Sequence, residues 1–404
     1  MARTVVPVAD VDNNENEMID ELMNENSVPL PPPSPSSGVR SLRVALPMLT
    51  ISWLVLILVL VASAVRIQRW EIAPGEALGV SSRLGFAPLE EGDAIPPRYP
   101  AENSIRLVTI YGGQLSLLDS VLGWLDPNVQ VNTFKEQFGD RDPSTNRRLG
   151  FQAMTSAKQI AEYVAMKKIG LDAELIQGPV IIEQVLCDGA PEKDAACTVL
   201  EIGERVTHLN GLATPTLKDL SALMTDKSPG ESVELTVIPY NKGSSSDTAT
   251  SEKRTVTLMP ASNDDDRAII GFVPADTRTV TIPFDVTIST PDIGGPSAGL
   301  AFTLALLDDL TKGNLMGDGG VVATGTMNED GLVGAIGGLR QKAVAAKDAG
   351  ARLFLVPADQ PESEIDEARR AVGKSLRIVP VATLDEALAA LKANGGDPLV
   401  APAS

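Results

Sequence analysis

Histidine is nearly absent from this chain: His208 is the only one in 404 residues. A serine or cysteine nucleophile that leans on an imidazole base would have to use that single residue, which lies in a segment that reads as a separate domain. Cysteine is almost as scarce, with two residues, Cys187 and Cys197. Two thiols and one imidazole cannot build a closed zinc site, so no metal and no cofactor is expected. Basic residues are outnumbered, 34 Lys and Arg against 53 Asp and Glu, for a formal net charge of −19. A basic face of the kind nucleic acids require is therefore missing, and no nucleic-acid partner is expected. The phosphate-cradling pattern Gly-x-x-x-x-Gly-Lys-Ser/Thr is also missing, and with it the expectation of a P-loop ATPase.

What the chain does have begins with one long apolar run, Val44 to Val65, without a charged residue. It matches the ~20 residues needed to cross a bilayer as a helix. Arg40 and Arg43 flank one end and Arg66 and Arg69 the other, so the positive-inside rule gives no orientation. Residues 44–66 are expected to form an uncleaved, single-pass anchor in the cell membrane, although Ala62-Ser63-Ala64 has the small residues of a signal-peptidase site. Residues 1–43 are acidic and then proline-rich, a composition that cannot bury a core and predicts a disordered cytoplasmic tail. Cys187 and Cys197 bracket a short loop. If they close a disulfide, the bulk of the chain lies outside the cytoplasm; two free thiols in a cytoplasmic protein is the other reading.

Most of the chemistry is concentrated between Thr290 and Leu355. Gly294-Gly295-Pro296-Ser297-Ala298-Gly299 delivers a serine to the start of an apolar run with Leu300, Leu304 and Leu307 at helical spacing. A helix N-terminus favours developing negative charge. A serine hydroxyl needs a base, and a desolvated lysine can serve because burial lowers its pKa. Lys342, followed by Ala343, Val344, Ala345 and Ala346, has such surroundings. Lys347 precedes Asp348 and reads as a solvated charge.

The combination of Gly295-Pro296-Ser297-Ala298-Gly299 with Gly337-Gly338-Leu339-Arg340-Gln341-Lys342 resembles the proteolytic domain of Lon proteases. A third match, Ala323-Thr324-Gly325, lies between them in the family's order. The resemblance implies a Ser-Lys dyad of Ser297 and Lys342, supported by Thr324, which orients the lysine, and by Gly295 and Pro296. Met154-Thr155-Ser156-Ala157 resembles the helix that precedes the serine in that family. Gly294 stands where the family has an acidic residue, with Asp292 displaced.

Between these parts, Gly178-Pro179-Val180-Ile181, then Gly203-Glu204, Asn210-Gly211, a helix and the strand Ser232 to Ile238 resemble a PDZ domain. That resemblance implies that the loop Gly178-Pro179-Val180-Ile181 captures a peptide through its backbone N–H groups.

The expected fold is thus α+β: a Lon-type proteolytic domain with an inserted, mostly β PDZ domain, preceded by one transmembrane helix. Residues 67–171 are read as linker and first part of the proteolytic domain, 172–262 as the PDZ domain, 263–394 as the catalytic domain and 395–404 as a disordered tail. Trp70 to Ala101 reads as loop, and Asn263 to Arg267 as an acidic turn. The function this implies is a membrane-anchored, ATP-independent serine endopeptidase acting on unfolded or extended protein segments, with its folded part extracytoplasmic. The rival is a PDZ-based adaptor or chaperone whose protease fold is inactive or processes only itself. The family's ring assembly leaves a homo-oligomer open.

Overall fold

The computed structural model describes residues 37–91, 95–100, 103–139, 141–186, 193–239, 250–261 and 264–400. The expected tail over 1–36, Cys187 and residues 240–249 lie outside the described residues. The chain divides into two units, Met1–Ala64 and Val65–Ser404.

In the first unit, helix α1 (Ser37–Ala64) contains a 20-residue stretch, Ala45–Ala64, of mean hydropathy 2.5 with none of it buried. It is apolar and long enough to cross a membrane. The helix takes in residues 37–43, which composition alone had placed in the tail, because extending a nucleated helix costs far less than starting one. It stops at Ala64, short of the expected edge at 66, because Arg66 already enters a strand.

The second unit opens with β1 (Arg66–Gly79), β2 (Leu84–Ala87) and β3 (Arg106–Ser116). They are followed by α2 (Leu117–Leu125), β4 (Gln130–Thr133), α3 (Phe134–Phe138) and the long α4 (Pro143–Lys168). The expectation of loop from Trp70 is corrected here. Strand β1 runs antiparallel to β3 straight through Pro74-Gly75, with a register shift between Pro74 and Ala77. A bulge absorbs the proline. Gly75 is required there, since a Cβ would sit 2.5 Å from Thr109 Oγ1 and 2.8 Å from backbone.

Next come β5 (Glu174–Val185), α5 (Ala196–Val199), β6 (Arg205–Leu209) and β7 (Leu212–Ala213). Helix α6 (Leu217–Met224) leads to β8 (Ser232–Ile238), β9 (Glu252–Thr257), β10 (Met259–Ala261), β11 (Asp264–Ile269) and β12 (Phe272–Thr281). Strands β12-β5-β6-β8-β9 form one sheet in that order, with β7 on β6. Its apolar faces make a core of their own, including Val180, Val206, Leu235, Val256 and Phe272. The closing strand pairs with β5 as far as Thr281, beyond the edge at 262 read from the sequence. Asp264–Arg267 are not a turn but part of β11, paired with β10.

The remainder is β13 (Asp285–Ile288), α7 (Gly299–Leu310), β14 (Val321–Ala323), β15 (Thr326–Met327), β16 (Val333–Gly334) and α8 (Leu339–Asp348). Strand β17 (Leu353–Pro357), α9 (Glu362–Val372), β18 (Arg377–Val381) and α10 (Leu384–Ala393) complete it. The main sheet runs β18-β17-β14-β3-β1-β4, parallel from β18 to β3 and antiparallel from β3 to β4. Helix α7 is buried along its whole length, and its core joins residues that precede the β module in the sequence, such as Ile160, with residues that follow it, such as Leu304. The mixed architecture thus holds a separate mostly β module within a helix-and-sheet body. Residues 395–400 are not a loose tail. Asp397 Oδ2 accepts from the Asn314 N–H at 2.8 Å and Leu399 packs on the main core.

Candidate active site

Three chain segments, far apart in sequence, meet around Ser297. The loop before α7 carries the serine, the end of β14 carries Thr324, and α8 carries Lys342. Gly295 adopts φ +93°, a left-handed turn that glycine permits, and its N–H donates to Gly150 O at 2.7 Å. Gly150, on α4, approaches so closely that a Cβ on Gly294 would lie 3.2 Å from its carbonyl carbon. The nucleophile loop is therefore pressed against α4. Ser297 itself is two residues short of the helix, which begins at Gly299.

Lys342 is 3% exposed and Thr324 fully buried. Lys342 Nζ lies 2.8 Å from Ser297 Oγ and 3.3 Å from Thr324 Oγ1. Thr324 Oγ1 donates to Ser297 O at 3.0 Å, so its lone pairs face the amine. A neutral amine has two protons and one lone pair. One N–H directed to Thr324 leaves the lone pair available to the Ser297 hydroxyl. Burial alone pushes the Lys342 ammonium down to about 7, since desolvation penalises the charged form.

The backbone around the serine is largely committed. Gly299 N–H goes to Pro296 O, Leu300 N–H to Gly325 O, and Gly325 N–H to Ser297 O. The N–H groups of Ser297 and Ala298 have no backbone acceptor among the described residues. An open cavity of about 1050 Å³ lies over them, lined by Gly75, Thr109 and Ile110 from the central strands and by Ile336 and Gly337 on the far side. Pro296 and Met154 line it too. Among the described residues no three His, Cys, Asp or Glu side chains converge as a metal site would need.

Residues 280–393 match the Lon protease (S16) C-terminal proteolytic domain. Within the Lon-type segment lie all three residues of the constellation. The Lon protease of Trichlorobacter lovleyi is 39% identical over 94 residues, 23% of this chain and 11% of that protein. The Lon protease of Xanthomonas oryzae pv. oryzae is 38% identical over 108 residues, 26% of this chain and 12% of that protein. The chain thus spans only about a tenth of the length of these relatives. Among solved structures, the PDZ domain of an SdrC-like protein from Listeria monocytogenes is similar over 25% of this chain and 93% of its own, at 16% identity and a TM-score of 0.19.

Other sequence-read residues fall elsewhere. His208 sits on β6, its Nδ1 3.1 Å from Thr207 Oγ1, in the second sheet. Cys197 is disulfide-bonded, and its expected partner Cys187 lies outside the described residues. The peptide-binding assignment of Gly178, Pro179, Val180 and Ile181 needs correction. Val180 and Ile181 pair with Asp276 and Ala275 on one edge and with Val206 and Arg205 on the other. Thr277 Oγ1 donates to Pro179 O, and a Cβ on Gly178 would lie 2.5 Å from that hydroxyl. A strand bonded on both edges has no N–H row left for a peptide. An open groove of about 480 Å³ lies instead between α6 and the end of β11, lined by Leu217, Leu220, Met224, Ile269, Ile270 and Phe272. Strand β11 pairs only with β10 among the described strands.

Proposed function

We propose that this chain is a membrane-anchored serine endopeptidase that works without ATP on unfolded or extended protein segments. The observation that carries this reading is the buried Lys342 amine 2.8 Å from the Ser297 hydroxyl. Neutral Nζ takes the Ser297 proton as Oγ bonds to the scissile carbonyl carbon. The N–H groups of Ser297 and Ala298 hold the resulting oxyanion, a contribution typically worth ~10²–10³ in rate per donor. The Lys342 ammonium then gives its proton to the leaving amine. Water, deprotonated by the same amine, attacks the acyl-enzyme and regenerates the serine hydroxyl. Thr324 keeps the lysine aimed.

The α1 helix supplies the anchor, and the disulfide at Cys197 supports an extracytoplasmic side for the folded part. The second sheet acts as a PDZ-like module whose peptide site is the α6–β11 groove, where an extended segment would lie along β11 on the edge opposite β10.

The test is proteolysis of an unfolded protein by the detergent-solubilised full chain, with no nucleotide present. Ser297→Ala and Lys342→Ala are each expected to reduce cleavage to background while leaving the circular dichroism unchanged. Wild type as inert as both variants, yet still binding peptides, would move the reading to an adaptor.

A further inference from the structure

Helix α2 presents an apolar face to solvent. Leu117, Val121, Trp124 and Leu125, at i, i+4, i+7 and i+8, are 49%, 55%, 85% and 73% exposed, and Leu122 beside them is 55% exposed. Residues so spaced share one side of a helix. The helix is preformed. Ser116 and Asp119 close a capping box at its start. At Gly123 it presses on the neighbouring chain, since a Cβ there would meet Val129 and Val131 at 3.3 Å. No ordering cost remains to be met when the exposed face finds a partner.

Its position in the chain says what that partner is. Leu117 N–H donates to Val65 O at 3.0 Å, and Ser116 pairs with Arg66 across the β1–β3 ladder. Val65 follows Ala64, the last residue of the apolar 20-residue run. The helix therefore starts one hydrogen bond from the point where the chain leaves that run. Nine residues span about 14 Å, so all of α2 lies close to that exit. Trp at such a boundary favours the lipid headgroup level.

We infer that α2 lies in the bilayer interface, with Leu117, Val121, Trp124 and Leu125 among the lipids. The inference rests on the anchoring reading. It adds a second membrane attachment, carried by the folded unit itself. Ile110, which lines the site cavity, precedes Ser116 by six residues on one strand, at most about 20 Å. One strand thus joins the docked helix to the wall of the cavity.

The protein's three tryptophans provide the test: Trp53 in α1, Trp70 packed edge-on against Phe134 and Phe138, and Trp124. The full chain is reconstituted into phosphatidylcholine–phosphatidylglycerol vesicles whose acyl chains carry bromine, which quenches tryptophan at contact. Two quenched components are expected, one lost in Trp53→Phe and the other in Trp124→Phe. Val121→Glu with Leu125→Glu, both at exposed sites, is expected to release only the Trp124 component. A quenched Trp53 with Trp124→Phe without effect overturns the docking and leaves the anchor standing. An unquenched Trp53 overturns the anchor, and the docking with it. A Trp124 component absent in vesicles while Trp124→Phe splits an oligomer overturns lipid docking in favour of a second copy of this chain.

Discussion

A lysine amine at its ordinary pKa is almost fully protonated at neutral pH and has no lone pair for a serine. Lys342 escapes this because its whole surroundings are apolar or hydroxylic and burial brings it to about 7. The sign of the pH dependence follows. Neutral amine is the working form, so kcat/KM should climb about tenfold per unit below pH 7 and level off above it. A pH series on a peptide substrate checks this: a rise centred near 4–5 would assign the base to another group, and one near 10 would overturn the desolvation of Lys342. Lys342→Arg should be inactive across the whole series, because a guanidinium stays charged.

Helix α4 matters as much as the loop that bears the serine and the helix that bears the lysine, because Gly150 backs that loop at Gly294 and Gly295. A Cβ at residue 150 would sit 3.5 Å from Gly295 N, an ordinary contact, so Gly150→Ala should leave kcat near wild type. Gly150→Val adds branches that must displace the loop, and kcat should fall by an order of magnitude or more. As this residue acts through position, KM and the apparent pKa of Lys342 should stay unchanged. Equal activity of the two variants would remove α4 from the account. Gly150 was not legible in the sequence, where it is one glycine inside a helical pattern. Ser297, Thr324 and Lys342 were, because each sits in a local motif whose glycines and alanines record the tight packing around it. The strand through Pro74-Gly75 was missed for the opposite reason: its bulge is set by Thr109 on a distant strand. The same limit produced the misplaced peptide site. Alternation identifies β5 as a strand, but only the assembled sheet tells that both its edges are taken.

For the molecule as a whole, the β module has a core of its own, so the capture and cleavage of the proposed function can be uncoupled by mutation. The α6–β11 groove has Ser221 exposed on its helix wall, where a large side chain can enter the groove without disturbing Leu220 in the core beneath. Ser221→Trp should therefore abolish anisotropy changes with a fluorescent peptide ending in apolar residues. It should also raise KM for long unfolded proteins several-fold while leaving kcat, and the cleavage of short peptides that reach only Ser297, unchanged. Loss of kcat on short peptides would mean that the groove communicates with the serine loop, for which β5 and β12 offer a route: Gln159 Oε1 on α4 accepts from Val280 N–H at the end of β12. An unaffected KM would place substrate capture outside the groove, and the β module would then serve as a spacer between the main sheet and its surroundings.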